Sequence, residues 1–183
     1  MYPSVTRVLG PYIDWSHVPP DRLRSAAERG TRVHNACEAI AQDVWPVYQD
    51  DIKGYVKSFE SWYKMMRPTV ILVEPELVSE IYGFMGHPDL VLRIGHGTWL
   101  IDIKTPVTIS KTWGPQLGAY DHLVSKSGIT CNRVGFLQLH PKGGKAKYTD
   151  IKPVENFAWF LNALAAHNYF AEEGKVDDTE DRF

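Results

Sequence analysis

Residues 86–105 read GHPDLVLRIGHGTWLIDIKT and predict a β-hairpin that carries the charged side chains of Asp89, Asp102 and Lys104. Pro88 disturbs the first strand just before Asp89, and a Gly-His-Gly turn leads into the second strand. Because side chains alternate along a strand, Asp102 and Lys104 share one face of the second strand. The surrounding residues are mostly apolar, so we expect this hairpin at the centre of a sheet, with both carboxylates and the lysine close together.

The rest of the chain alternates between helix and strand patterns and predicts a single α/β domain. Four segments have apolar residues at helical spacing, and five have the alternation or β-branched content of strands. The order is α-α-β-β-β-α-β-β-α, which predicts a mixed central β-sheet flanked by helices. The helices are expected at about residues 21–44, 49–66, 109–125 and 153–171, and the strands at about residues 70–79, 84–94, 98–105, 131–139 and 146–151.

Aromatic residues are concentrated in the second and the last predicted helices. Their helical spacing favours a place in the core over a platform for stacking bases. The residues expected in the core are Tyr55, Phe59, Trp62 and Tyr63 in the second helix, and Phe157, Trp159, Phe160, Tyr169 and Phe170 in the last.

The composition excludes several classes of protein. The chain has 183 residues, a formal net charge of -2 and only two cysteines, Cys37 and Cys131. These lie too far apart for a disulfide scaffold, a zinc ribbon or a cysteine-ligated iron–sulfur cluster. The sequence has neither a long apolar run nor a secretory signal pattern. We therefore expect no membrane association and a cytoplasmic location in a bacterium or a phage-infected host.

Charge is unevenly distributed along the chain. From Lys104 to Lys152 there are eight basic and two acidic residues, a local charge of +6 that would attract phosphates. From Glu172 to Arg182 six acidic residues accompany two basic ones. We therefore expect one folded domain over residues 1–172, followed by an acidic, flexible tail over residues 173–183.

The charged residues of the hairpin have the chemistry of a divalent-metal phosphodiesterase. Mg²⁺ prefers oxygen ligands, and Asp89, Asp102 and the carbonyl of Ile103 could hold it while leaving room for water and phosphate. Lys104 could orient the attacking water and neutralise charge on the phosphate. Two simpler interpretations stay open, because Asp89 could be a turn residue and Asp102 could form an ordinary ion pair with Lys104.

Several motifs in this sequence resemble those of the PD-(D/E)xK nuclease superfamily. Pro88-Asp89 and Asp102-Ile103-Lys104 match its central motif, with twelve residues between the two aspartates. Residues 30–34 (GTRVH) and Glu38 look like the first-helix motif of RecB-like exonucleases, Glu74 like the acidic residue of the first strand, and residues 116–120 (QLGAY) like the Q-x-x-x-Y motif. The lack of a cysteine set indicates the clusterless members, which include phage recombination nucleases and the mitochondrial genome-maintenance type.

The resemblance implies a fold, an activity and roles for particular residues. The fold would be a restriction-endonuclease-like core of αβββαβ order, and the activity that of a Mg²⁺- or Mn²⁺-dependent DNA exonuclease acting in recombination, repair or replication. His34 would be an additional metal ligand and Glu74 would hold a water or a second ion, although the neighbouring Glu76 shares its strand face. Gln116 and Tyr120 would position the DNA strand.

Three further residues are candidates for contact with the substrate. Trp113 could stack on a DNA end, and Arg32 and Lys111 could bind phosphates. Other functions fit the same residues. The protein could be a structure-specific endonuclease of the same superfamily, a DNA-binding module without catalysis, or a subunit that needs a helicase or recombination partner.

Overall fold

The computed structural model describes residues 2–173, in which five α-helices and seven strands are found. Two short 3-10 helices, Gly10–Tyr12 and Asp50–Ile52, precede α2 and α3. The helices are α1 (Val5–Leu9), α2 (Pro20–Ala41), α3 (Lys53–Met66), α4 (Trp113–Lys126) and α5 (Pro153–Glu173), and the strands are β1 (Thr69–Val73), β2 (Leu77–Ser79), β3 (Phe84–Gly86), β4 (Leu90–Ile94), β5 (Gly97–Lys104), β6 (Arg133–Gln138) and β7 (Lys147–Asp150).

Five strands form the central sheet, in the spatial order β1-β4-β5-β6-β7. β4 is antiparallel to both β1 and β5, whereas β5 and β6 run parallel and are connected through α4. β7 pairs antiparallel with β6 at the far edge. The predicted mixed α/β sheet with flanking helices is therefore confirmed, and β5 is its middle strand.

Alternation along β5 divides its side chains between two hydrophobic cores. Leu100 lies in the core formed with α1, α4 and α5, while Ile101 and Ile103 lie in the core formed with α2 and α3. All three are fully buried, and each contributes about 1.5–3 kcal/mol through the hydrophobic effect. Asp102 and Lys104 follow the period of Leu100, so they point towards α4.

The two long strands predicted over residues 70–79 and 84–94 are each broken, so their predicted extent was wrong. Glu74, directly after β1, adopts a positive φ of 42°, and its N–H donates to the Asp89 carbonyl at 2.9 Å. The chain then leaves the central sheet, and β2 pairs with β3 in a separate hairpin. On the return, Pro88 has no N–H with which to continue a ladder, so β4 begins only at Leu90.

The predicted helices differ from the observed ones mainly at their ends. α4 begins at Trp113, because residues 105–112 form an irregular loop after β5. α1 was not predicted, since its five residues are too few to show a helical period.

The aromatic residues of α5 are only partly in the core. Phe160 is fully buried and Phe157 packs against the core, but Trp159, Tyr169 and Phe170 are exposed, so the core prediction was wrong for these three. α5 packs closely against α4 along one side, where Gly118 approaches its backbone. Residues two positions apart differ by about 200° around a helix, so Trp159 faces away from this contact. In α3, by contrast, Tyr55, Phe59 and Trp62 are buried as predicted.

Among residues 2–173, no helix combines the length and the apolar character needed to cross a membrane. Residues 174–183, which make up most of the predicted acidic tail, lie outside the described residues.

Candidate active site

The candidate site lies where the break before β4 meets the end of β5. Asp89 Oδ2 accepts a hydrogen bond of 2.6 Å from the backbone N–H of Ile103. Leu90 pairs with Ile101 at the end of the β4–β5 ladder, and Pro88 lies two residues before Leu90. Pro88 has no N–H to extend this ladder, and the Ile103 N–H is bound by the Asp89 side chain. Asp89 and the end of β5 thus form one polar site.

Asp102 and Lys104 form a close ion pair on the α4 side of β5. Lys104 Nζ lies 2.5 Å from Asp102 Oδ2, and Asp102 is only 1% exposed. Asp102 Oδ2 is thus a buried oxygen whose neighbouring charge is the Lys104 ammonium. Burial raises the pKa of Asp102 to about 6, with a further increase from the Asp89 charge, and the Lys104 ammonium opposes both effects.

His34 reaches the same site from α2. Its Nδ1 lies 3.3 Å from Asp89 Oδ1. Burial lowers the pKa of His34, but the Asp89 and Asp102 carboxylates outweigh it and raise the pKa to about 9. For Asp89, burial raises the pKa, but His34, Lys104 and the Ile103 N–H together bring this pKa below its usual value. At neutral pH, His34 is therefore protonated and Asp89 is ionised.

A second pair of carboxyl groups borders the site. Glu38 lies one turn after His34 on α2 and interacts with Glu74, which follows β1. Burial raises the pKa of Glu38 to about 7, and the neighbouring Glu74 adds to this increase. Glu76 turns elsewhere, with its Oε2 3.9 Å from His87 Nε2. Of the two glutamates left open by the sequence, Glu74 is thus the one beside Glu38.

Two residues of α4 complete the surroundings of Lys104. Its Nζ donates a hydrogen bond of 2.9 Å to Gln116 Oε1, and Gln116 Nε2 donates at 3.2 Å to the hydroxyl of Tyr120. The ammonium also lies 5.5 Å from the centre of the Trp113 ring. The position of Lys104 is therefore fixed by side chains of α4, because β5 directs the Lys104 side chain towards that helix.

The structure does not bring the other predicted substrate contacts into this cluster. Trp113 is only 7% exposed and packs edge-on against Phe136, so its ring supports Lys104 and has no free face for stacking on DNA. Arg32 is engaged with Asp51 and Gln49, at 2.7 Å to each. It lies two positions from His34 on α2, which directs it away from the site. Lys111 is exposed and lines two cavities beside the site.

The donors at the site fit a hard divalent cation better than a zinc ion. Asp89, Asp102 and the Ile103 carbonyl offer oxygen atoms, which are the ligands that a hard cation prefers. In the part of the chain that is described, no three His, Cys, Asp or Glu side chains converge as a ready-made metal cage. Such a set suits Mg²⁺ or Mn²⁺, which retain waters, and it does not suit a closed tetrahedral zinc site.

Some residues near the site were not found by sequence reasoning. A cavity of about 730 Å³ adjoins the loop after Lys104 and is lined by Tyr12 and Trp15 among others. Residues 10–19 have no helical or strand period, so their position next to the site could not be inferred. The available signal was the presence of two large aromatic residues in a proline-containing loop.

Comparison with known proteins gives matches among solved structures only, since no protein-family model and no curated protein matches the chain. The alkaline exonuclease LHK-Exo from Laribacter hongkongensis is 13% identical, with a TM-score of 0.43 over 93% of this chain and 91% of its own. LHK-Exo in complex with dAMP gives a TM-score of 0.42 at 13% identity, over 94% and 92%. The structure of SSO0001 gives a TM-score of 0.38 at 14% identity, over 78% and 85%. These likenesses concern the overall fold alone.

Proposed function

We propose that this protein is a Mg²⁺- or Mn²⁺-dependent deoxyribonuclease that hydrolyses phosphodiester bonds from DNA ends. The observation that carries the proposal is the convergence of Asp89, Asp102 and Lys104, with Lys104 held by Gln116. Burying this many charges is costly in a structure that does not use them. An isolated surface ion pair would require neither the buried aspartates nor the hydrogen-bonded lysine.

Asp89, Asp102 and the Ile103 carbonyl would hold the cation, with His34 as an additional ligand once it has lost its proton. A divalent cation bound there supplies positive charge that lowers the pKa of a water and stabilises charge on the phosphate. The chain itself supplies the positioning. Lys104 is hydrogen-bonded to Gln116, so its ammonium can orient the attacking water or a phosphate oxygen without first losing conformational freedom.

The carboxyl pair of Glu38 and Glu74 is suited to proton transfer or to holding a water. The pKa of Glu38, raised to about 7 by burial and by Glu74, lies close to physiological pH, where a group can both accept and release a proton. Glu74 is fixed by its backbone hydrogen bond to Asp89, which keeps this pair next to the aspartates.

Action from DNA ends, in recombination, repair or replication, is the finer part of the proposal. Its support is the resemblance of Gln116 and Tyr120 to the Q-x-x-x-Y motif, together with the hydrogen bonds that connect both residues to Lys104. The local charge of +6 between Lys104 and Lys152 would attract the phosphates of the substrate.

The test is to incubate the purified protein with linear and with covalently closed circular DNA in Mg²⁺, Mn²⁺ or EDTA. We expect linear DNA to be degraded and closed circular DNA to stay intact. Degradation should occur only when a divalent cation is present. Asp102→Asn and Lys104→Ala should each lower the rate by a factor of about 10² or more. Lys53→Ala is the matched control, since Lys53 lies outside this basic segment and its ion pair with Asp50 is exposed.

Each of the other outcomes identifies a different function. Cutting of closed circles would indicate an endonuclease using the same site. DNA binding without hydrolysis under every condition would indicate a binding module, and activity that arises only after addition of a helicase or recombination protein would indicate a subunit. Hydrolysis that persists in both Asp102→Asn and Lys104→Ala would rule out this site.

A further inference from the structure

Two neighbouring cavities extend from the candidate active site across the surface. The first, of about 730 Å³, begins at Thr105, directly after Lys104, and is lined by Tyr12 and Trp15. The second, of about 710 Å³, is lined by Tyr12 and Trp159. Lys111, like Tyr12, contributes to both. The cavities are therefore adjacent, and the first is lined by Trp113, whose ring centre lies 5.5 Å from Lys104 Nζ.

The lining of these cavities combines aromatic faces with the positive charges of Arg29 and Lys111 and one carboxylate, Asp14. Trp15 is 47% exposed and Trp159 is 67% exposed, and Tyr12 between them is also exposed. Arg29 lines the first cavity, and its Nε is buried without a hydrogen-bond partner. A suitable ligand would therefore have flat apolar faces together with negative or hydrogen-bond-accepting groups.

We propose that the two cavities form a single-strand track, which holds unpaired bases of the DNA strand next to the bond that is cut. This inference rests on the proposed nuclease function and adds its substrate class, a single strand or a duplex end with unpaired bases. Each cavity has the size typical of small-ligand pockets, about 300–1,000 Å³, and so can take a base with its sugar.

The lining residues place one aromatic face in each cavity and a positive charge shared by both. Trp15 and Trp159 lie in different cavities, and Lys111 is shared by both, so one phosphate between two bases could meet Lys111. Stacking on aromatic side chains requires bases that are not already paired and stacked, which excludes an intact duplex from the track.

The track is tested by measuring binding of a fluorescently labelled oligothymidylate in EDTA, where binding does not depend on hydrolysis. Trp15→Ala and Trp159→Ala should each raise the Kd by about 5-fold or more, as expected when one base loses its stacking partner. Abasic residues at the corresponding positions of the oligonucleotide should weaken binding to the wild type by a similar factor. Trp45→Ala should have no effect, because Trp45 is 84% exposed but lines a different cavity.

The outcomes separate the track from the proposed function. If both Trp15→Ala and Trp159→Ala bind the oligothymidylate as tightly as the wild type, the track is overturned. It is also overturned if these variants lose affinity for blunt duplex DNA but not for the oligothymidylate. Light scattering on the same variants would show whether two copies of the chain associate. If the variants lose self-association but bind the oligonucleotide normally, the cavities bind a second copy of the chain and the single-strand track is overturned. Weaker binding of the single strand by these variants supports the track whether or not the protein hydrolyses DNA. If no DNA is hydrolysed, only the proposed nuclease function is contradicted.

Discussion

Replacing Lys104 with methionine should destabilise the protein strongly in EDTA. Lys104 Nζ lies 2.5 Å from Asp102 Oδ2, and both side chains are largely buried. Removing one member of a buried ion pair leaves the other charge without compensation and costs about 3–5 kcal/mol. A loss of 1 kcal/mol lowers the Tm of a domain of this size by about 2–4 °C. We therefore expect the Tm of Lys104→Met to fall by about 6–20 °C.

This loss of stability should grow as the pH rises. At low pH the Asp102 carboxyl group of Lys104→Met can take up a proton and so avoid a buried, uncompensated charge. The pKa of Asp102 is raised to about 6 by burial and by Asp89, with Lys104 opposing the rise, so removing Lys104 raises it further. An acid with a higher pKa in the folded than in the unfolded state contributes stability below the unfolded value, about 4, and loses it as pH rises towards the folded value. The deficit is thus expected to be smaller at about pH 5 than at about pH 8.

The assay is thermal unfolding of wild type and Lys104→Met in EDTA at both pH values. The double variant Asp102→Asn/Lys104→Met should recover much of the lost stability, because it removes the uncompensated charge. Lys152→Ala should unfold like the wild type, since its ion pair is exposed. If Lys104→Met unfolds at the wild-type temperature at both pH values, Asp102 and Lys104 do not form a buried ion pair.

The same variant also reports on the cation site. A divalent ion that binds only the folded protein adds about 2.7 kcal/mol at 100 times its Kd. Mn²⁺ should therefore restore part of the stability of Lys104→Met, since it returns a positive charge to Asp102. A titration with no effect on the Tm of either protein would contradict the cation site.

Three other variants test separate parts of the structure. Gln116→Leu removes the acceptor of Lys104 Nζ, so we expect hydrolysis of linear DNA to slow by about 10-fold or more, with retained fold shown by circular dichroism. Glu38→Gln should unfold at higher denaturant concentration than wild type at about pH 8 and at the same concentration at about pH 4. Burial and Glu74 raise the pKa of Glu38 to about 7, so the wild type loses stability as the pH rises from about 4 to 8. Because Glu38 is partly exposed to solvent, the stability gained by Glu38→Gln at about pH 8 is limited to about 1 kcal/mol. Gly118→Ala would bring a methyl group to 2.7 Å from the Asn156 carbonyl carbon, so chemical denaturation should reveal a loss of about 1–3 kcal/mol from strain between α4 and α5.

Local periodicity was sufficient to predict the middle of this fold. The alternation in β5 assigned Asp102 and Lys104 to one face and Ile101 and Ile103 to the other, and both cores follow that division. Such a pattern is readable because burial on each face of a central strand constrains every second residue.

The breaks that create the site were less accessible to sequence reasoning. Glu74 adopts its positive φ in the context of a hydrogen bond to the Asp89 carbonyl, a contact between residues distant in sequence. The β-branched residues before it favour a continuing strand, and tertiary contacts override that preference. The exposure of Trp159 has a similar origin, since it depends on which side of α5 packs against α4. Local pattern specifies that α5 is a helix but not how many of its sides are covered.

The charged side chains of the candidate site balance one another. Asp89 and Asp102 are balanced by protonated His34 and by Lys104, so the four side chains have no net charge at neutral pH. This balance is what an ordinary ion-pair network would also achieve, and for that reason the residue types alone left both interpretations open. The Mn²⁺ titration of the wild type and of Lys104→Met separates the two interpretations. An ion-pair network is already complete without a cation, whereas a cation site gains stability when the ion binds to Asp89 and Asp102.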